Sequence, residues 1–189
     1  MHASVLTWAG SVLPDLVTGR DVIEVGSYDV NGSVRPTLEP LASSYLGVDV
    51  SPGPSVDVVA DVADLPTLYP DGFDVVITTE MLEHVASWKA AIKSLVKAVK
   101  RGGVLALTTR SLGFPLHNYP VDTWRYSVDE MRAILEGAGL VVDSSEPDPQ
   151  QNGVFAVAHK PAKWTAPKGA DWWPGFQLPI WDGSIPEAQ

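Results

Sequence analysis

Short apolar runs recur along the chain, each closed by a turn and followed by helical periodicity. Five of them read as strands: Asp21-Val-Ile-Glu-Val-Gly26, Ser44-Tyr-Leu-Gly-Val-Asp49, Val56-Asp-Val-Val-Ala60, Phe73-Asp-Val-Val-Ile-Thr-Thr79 and Val104-Leu-Ala-Leu-Thr-Thr109. Strands that alternate with helices are joined by crossovers, which make parallel sheets with helices covering the faces. The expectation is an α/β fold with a Rossmann-like, doubly wound, mostly parallel sheet. Residues 141–144 and 154–159 read as a terminal antiparallel pair.

Between the strands, residues 3–17 carry Val5, Leu6, Trp8, Val12, Leu13 and Leu16 as an amphipathic helix. A helix is expected from an N-cap at Ser33 to about Leu41, with Pro36 tolerated in its first turn. Another spans 87–100, with Ala91, Ile92, Leu95 and Val99 inward and Lys89, Lys93, Lys97 and Lys100 on a solvated face; Arg101-Gly-Gly103 ends it. Ser127 and Glu130 fit a capping box for a helix at 128–137. From Pro161 onward periodicity disappears. Residues 1–160 therefore read as one domain, with its N-terminal helix within 1–19, and 161–189 as a Trp/Pro/Gly-rich tail packing on it.

Charge narrows the function. Thirteen Lys and Arg against 23 Asp and Glu give −10 over 189 residues, which argues against a nucleic-acid partner. No apolar run approaches the ~20 residues of a membrane span, and the N-terminus lacks a secretory pattern, so a cytoplasmic location is the simplest expectation. There is no cysteine, hence no disulfide or thiolate chemistry; with no His pair at ligand spacing along the chain either, no metal is expected. The acidity is uneven. Residues 44–88 hold eight Asp and Glu and no Lys or Arg, and four of the seven Trp fall after residue 163.

Four polar features occur at the C-terminal ends of successive strands, the edge where open α/β sheets bind ligands. Glu24-Val-Gly-Ser-Tyr-Asp-Val-Asn-Gly-Ser33 is a glycine-bearing turn whose following helix offers N–H groups to a carboxylate. Asp49 ends the second strand, where an acid can accept from both ribose hydroxyls. Asp61-Val62 follows the third, where a carboxylate can accept from an adenine amino group; Thr79-Glu80 and Met81-Leu-Glu-His84 follow the fourth. Each alone is a weak signal, since an Asp after a strand is usually a turn or cap residue. Their order and spacing carry the reading.

On these residues the chain resembles the class I S-adenosylmethionine-dependent methyltransferases, in their small type-11/type-23-like branch. The matching segments are Val22-Ile-Glu-Val-Gly26 with Asn31-Gly-Ser33, Leu46-Gly-Val-Asp49, Asp61-Val-Ala-Asp-Leu65, Phe73-Asp-Val-Val-Ile77 with Glu80-Met-Leu-Glu-His-Val85, and Arg101-Gly-Gly-Val104. The resemblance implies a seven-stranded sheet with one reversed strand and S-adenosyl-L-methionine as cofactor. By position, Gly26 and Ser27 would face the methionine part, Asp49 would hold the ribose, Asp61 and Val62 the adenine, and Thr79 and Glu80 would line the floor beneath the sulfonium; Glu24, Asn31 and Val50 are further expected cofactor contacts. One departure stands out: the usual Gly-x-Gly-x-Gly is replaced by Gly26-Ser27, with the next glycine at 32. A redox dinucleotide is the competing reading of the same βαβ pattern; the missing G-x-G-x-x-G and the Glu-His-Val segment favour the methyl donor.

Leu116-His-Asn-Tyr-Pro-Val-Asp-Thr-Trp-Arg-Tyr126 supplies most acceptor-side candidates, and resembles a stretch found in small methyltransferases associated with sugar and polysaccharide pathways. His117 is the expected base or acceptor ligand and Asp122 its orienting partner. Trp124 offers a flat surface and Arg125 a cation, against a reading in which Trp124 packs in the core and Arg125–Asp122 is a structural ion pair. His84 is a rival base or substrate contact, with capping or packing as its plainer role. The tail tryptophans are open to three uses: a lid, a homodimer contact, or a cover on an apolar face. The expectation is O-methylation of a small acceptor, a sugar-bearing or secondary metabolite; a macromolecule methyltransferase and a non-catalytic cofactor-binding subunit are the alternatives.

Overall fold

A computed structural model of the chain describes residues 1–117 and 121–178. Seven strands form one sheet: β1 (Asp21–Val25), β2 (Ser44–Asp49), β3 (Val58–Val59), β4 (Phe73–Thr79), β5 (Val99–Arg110), β6 (Val141–Pro147) and β7 (Gly153–His159). Their order is β3-β2-β1-β4-β5-β7-β6. The first five are parallel, while β7 runs antiparallel to both β5 and β6 and is the one reversed strand. The chain leaves β1 toward β2 on one side and later returns to β4 on the other, so a switch point lies at the C-terminal end of β1. Ligands of open α/β sheets bind at such points.

Alternation along the strands feeds two cores. Val22, Val75, Ile77, Val104 and Ala106 meet Ala9, Leu13 and Val17 of α1 (Ala3–Val17) and Leu38 of α2 (Arg35–Leu38) on one face. Ile23, Val25, Val76, Leu105 and Leu107 meet Trp88, Ile92 and Leu95 of α4 (Trp88–Ala98) and Ile134 and Leu135 of α5 (Val128–Gly137) on the other. A short helix, α3 (Leu65–Leu68), follows β3 in the chain and packs on α4. Each Leu or Ile so buried contributes about 1.5–3 kcal/mol. Ser127 and Glu130 cap α5 reciprocally, as their spacing predicts.

Three elements differ from the sequence reading. The second helix is one turn of four residues followed by a 3-10 turn at Glu39–Leu41, since Pro40 has no N–H to continue an α-helix. The third strand has two paired residues. Strand β5 starts at Val99, before the glycine pair expected to precede it. Gly102 takes φ +81° and a Cβ on Gly103 would sit 2.7 Å from the Asp74 carbonyl oxygen, so the pair lets the strand bend against β4 where other residues would clash.

The tail, as far as Leu178, lies across α4 and α5. Trp164 Nε1 donates to Ala138 O (3.0 Å) and Trp173 Nε1 to Ile134 O (2.8 Å), while the rings of Trp88 and Trp173 are 5.0 Å apart. Trp181 lies outside the described residues. The expected lysine face is not merely solvated: on α4 Lys89 pairs with Asp171 and Lys93 donates to the Ala170 carbonyl, while Lys100, which falls in β5, bridges Asp21 and Asp74. Lys97 is the exposed one of the four. Among the described residues no helix is long and apolar enough to cross a membrane.

Candidate active site

At the switch point a cavity of about 350 Å³ opens beneath the ends of β1, β2 and β3, within the range of small-molecule pockets. Its wall is largely apolar (Val25, Val48, Ala60, Ala90) and carries Gly26, Asp49, Val50, Asp61, Val62, Met81 and His84. A Cβ on Gly26, whose φ is +81°, would lie 2.8 Å from the Met81 side chain. Glycine is therefore required there by both torsion and space.

Both wall carboxylates are held by backbone. Asp49 accepts from Tyr28 N (3.2 Å) and Ser51 N (3.0 Å), and Asp61 accepts from Ala63 N (2.8 Å), capping the 3-10 turn Val62–Asp64. The cation-free stretch is neutralised from outside: Arg35 pairs with Asp57, Lys100 with Asp74 and Lys160 with Asp71. These three acids are thus paired rather than free turn residues.

Five predicted cofactor residues are not on this wall. Glu24 is buried and accepts from Tyr45 Oη (2.8 Å); burial pushes its carboxyl up to about 7. Ser27 is buried, its hydroxyl without a partner and its N–H, like that of Gly26, donated to Val48 O. Asn31 is exposed and its side-chain oxygen faces the Met1 amino group. Thr79 is buried with an unpartnered hydroxyl, and Glu80, at φ +54°, is ion-paired with the buried Arg110. Within the turn itself Tyr28 N donates to Asp49 and Asp29 N to Pro54 O, so these N–H groups are committed within the protein.

On the acceptor side, the fold gathers His84, His117, Asp122, Trp124 and Arg125 beside the end of β4. Asp122 is buried and accepts from His117 N (2.9 Å) and from Arg125, whose Nη2 lies 2.6 Å away. Burial alone would raise its carboxyl; the Arg125 guanidinium and the His117 N–H overcome that and hold it at about 2. The same carboxylate lies 2.9 Å from His117 Nδ1. Burial pulls the His117 imidazole below its ordinary range against the pull of Asp122; the Nδ1–carboxylate contact is a close approach and not an aligned hydrogen bond. Trp124 is pinned through Nε1 to Val85 O (2.7 Å) and packs on the core, and Arg125 is fully buried, so both have the structural contacts of the plainer reading.

Glu83 is the residue that sequence reasoning missed. It sits in the 3-10 turn Leu82–His84, fully buried; one oxygen accepts from Thr109 Oγ1 (2.9 Å) and the other, Oε1, has no hydrogen-bond donor. Burial pushes it up to about 7. Its Oε1 is 3.9 Å from His84 Nε2 and 4.0 Å from His117 Nε2. Its backbone oxygen accepts from Thr123 N and Trp124 N, which docks the acceptor segment. An acidic residue directly before His84 was the available signal.

Comparison with known proteins agrees with this geometry. The profile of a family described as a methyltransferase domain matches residues 10–145. No curated protein sequence matches the chain. Among solved structures, a chain of the complex between the Haloferax volcanii Trm112 methyltransferase activator and its candidate methyltransferase superposes with TM-score 0.67 at 17% identity, covering 85% of this chain and 90% of that one. The Burkholderia thailandensis 1,6-didemethyltoxoflavin-N1-methyltransferase, bound to 1,6-didemethyltoxoflavin and S-adenosylhomocysteine, gives TM-score 0.67 at 13% identity, covering 84% and 79%. A Mesorhizobium loti S-adenosylmethionine-dependent methyltransferase gives 0.61 at 17%, covering 84% and 98%. At such identities the structures establish the fold; the profile match, which spans most of the domain, establishes the family. The chain belongs to the methyltransferase-domain family and is a class I S-adenosylmethionine-dependent methyltransferase.

Proposed function

We propose that the protein transfers a methyl group from S-adenosyl-L-methionine to a hydroxyl of a small acceptor. The cavity fits the adenosyl part of that cofactor: an apolar slot ending in two carboxylates, Asp49 and Asp61, each with acceptor capacity left for hydroxyl or amino donors. Gly26, Val50 and Val62 would line it. Ser27, just past β1, and Thr79, at the end of β4, carry buried hydroxyls without partners among the described residues. When bound, the cofactor supplies an electrophilic methyl on a sulfonium. The protein's part is to bring the acceptor oxygen to a near-attack distance of about 3–3.5 Å and exclude water.

The observation that carries the acceptor reading is the His117–Asp122–Arg125 chain. An imidazole backed at 2.9 Å by a carboxylate, itself held ionised by a buried guanidinium, is an arrangement suited to removing a proton from a hydroxyl. The net charge of −10 favours a small acceptor over a nucleic acid.

Two measurements test this. Asp49→Ala is expected to weaken S-adenosylhomocysteine binding about tenfold or more, the worth of one good hydrogen-bonding carboxylate; unchanged affinity in a calorimetric titration would sink the cofactor placement. His117→Ala is expected to cut turnover of a hydroxyl acceptor by roughly a hundredfold or more while cofactor binding persists. Full turnover in that variant excludes the role given to His117.

A further inference from the structure

Glu83 and His84 arrive on the 3-10 turn after β4, and His117 on the segment after β5. We infer that these three side chains form a site for one divalent first-row transition-metal ion such as Mn2+, Co2+ or Zn2+, open toward the cofactor cavity, where the ion would hold an oxygen of the acceptor. The site stands on its own geometry; its role in holding the acceptor rests on the methyl-transfer reading above.

Glu83, His84 and His117 each present a ligand atom within 4.8 Å of the others', and Glu83 Oε1 is 3.9 Å from His84 Nε2 and 4.0 Å from His117 Nε2. Both imidazoles are oriented from behind. His84 Nδ1 faces the Val121 carbonyl oxygen, so it carries the hydrogen there and its Nε2 presents a lone pair. His117 Nδ1 lies 2.9 Å from the Asp122 carboxylate without an aligned hydrogen bond, a contact that favours the hydrogen on Nδ1 and the lone pair on Nε2. A carboxylate or carbonyl behind each histidine is the usual outer support of a metal-bound imidazole. The third donor is a carboxyl group, fully buried, with no hydrogen-bond partner on Oε1 among the described residues, and it would bind an ion as the carboxylate.

Without a cation this arrangement has an uncompensated cost. At 3.9 and 4.0 Å, Glu83 Oε1 is too far from either Nε2 for a hydrogen bond. Two imidazole nitrogens and a carboxyl oxygen therefore face one another across a gap without hydrogen-bonding, and an orphaned buried polar atom costs about 1–3 kcal/mol. A tetrahedral ion bound at about 2.1 Å holds its donors about 3.4 Å apart, so each edge must contract by somewhat over an ångström at most. His117 is partly exposed and can supply most of that movement.

Two imidazoles and one carboxylate suit first-row transition metals better than Mg2+ or Ca2+, which prefer all-oxygen sets. Three protein ligands leave at least one position open, the pattern of sites that bind a water or substrate oxygen. His84 also lines the cofactor cavity, so the open side adjoins the place where the methyl would be presented. With an ion bound, His117 Nε2 is a ligand and no longer a free base.

The test uses full-length protein stripped with EDTA and titrated with Co2+, read by visible absorption and by calorimetry. Wild type is expected to take up one Co2+ per chain with the bands of a nitrogen-ligated ion, and His117→Ala to weaken uptake by roughly a hundredfold or more. Asp122→Asn, which keeps the shape and removes the charge behind His117, is expected to weaken it roughly tenfold. Absence of saturable uptake by wild type, or undiminished uptake by His117→Ala, overturns the site; the partly exposed His117 carries the test even if Glu83→Gln fails to fold. S-adenosylhomocysteine binding measured on the same samples separates the two ideas. Binding kept in His117→Ala while Co2+ uptake is lost assigns the defect to the ion site. No binding by wild type removes the methyl-transfer reading and leaves the ion site to the Co2+ result.

Discussion

On the β1–β3 rim of the cleft, Asp49 and Asp61 accept from the backbone N–H groups of Tyr28, Ser51 and Ala63. On the β4–β5 rim, Asp122 and the part-buried Glu80 are matched instead to the fully buried guanidiniums of Arg125 and Arg110. The first arrangement is made by short loops and leaves its carboxylates half in the cavity. The second takes full charges out of water and depends on every partner being present. Desolvating a charge costs several kcal/mol, so a partner lost on the second rim is felt by the whole fold, whereas one lost on the first is felt by a ligand.

The largest effect is expected where that dependence is greatest. Asp122→Ala leaves Arg125 buried against a missing carboxylate and should cost about 3–5 kcal/mol in urea unfolding, besides freeing His117. A cost below about 1 kcal/mol would mean that the two rims do not differ in kind. A second break concerns Glu24, next to the first rim yet as buried as anything on the second. Its carboxyl rises from 4.5 to about 7, by burial first, with Asp29 and Asp49 adding to the rise and Tyr45 and Arg35 opposing it. An acid whose folded value is raised favours folding below its unfolded value and loses that contribution as pH climbs. Stability should therefore fall from about pH 4.5 to about pH 7 and level off above, with a ceiling near ~3 kcal/mol. Glu24→Gln, which can still accept from Tyr45, should flatten the slope in part, since Glu83 titrates over the same window. An unchanged slope in urea midpoints against pH would remove Glu24 as a source. The smallest effect belongs to Asp61→Ala, which loses one cap and should cost about 1 kcal/mol or less of stability while lowering cofactor affinity. A larger loss of stability than of binding would put Asp61 with the second rim.

The same contrast explains what could be read in advance. Strands β2 and β4 and the capping box of α5 were legible to the residue because local periodicity and turn chemistry decide them. Asp49 and Asp61 were legible because each follows its strand directly. Glu83 with His117 was not, since residues 34 positions apart along the chain meet only once β4 and β5 pair. Glu80 looked like cavity floor until Arg110 and Asp148, from a later strand and loop, claimed that corner. Gly102-Gly103 looked like a stop because sequence alone does not distinguish a glycine that ends a helix from one that lets a strand bend.

The docked tail has an optical consequence. Trp88 is 5.0 Å from Trp173, Trp173 is 5.7 Å from Trp172, and Trp172 is 6.0 Å from Trp164. Four indoles in a row at such separations couple their transition dipoles, so near-ultraviolet circular dichroism should carry a strong signal from this side of the molecule. Trp88 begins the helix whose Ala90 and Ala91 line the cavity. Occupancy of the cleft can therefore be followed through the protein's own chromophores, without a label.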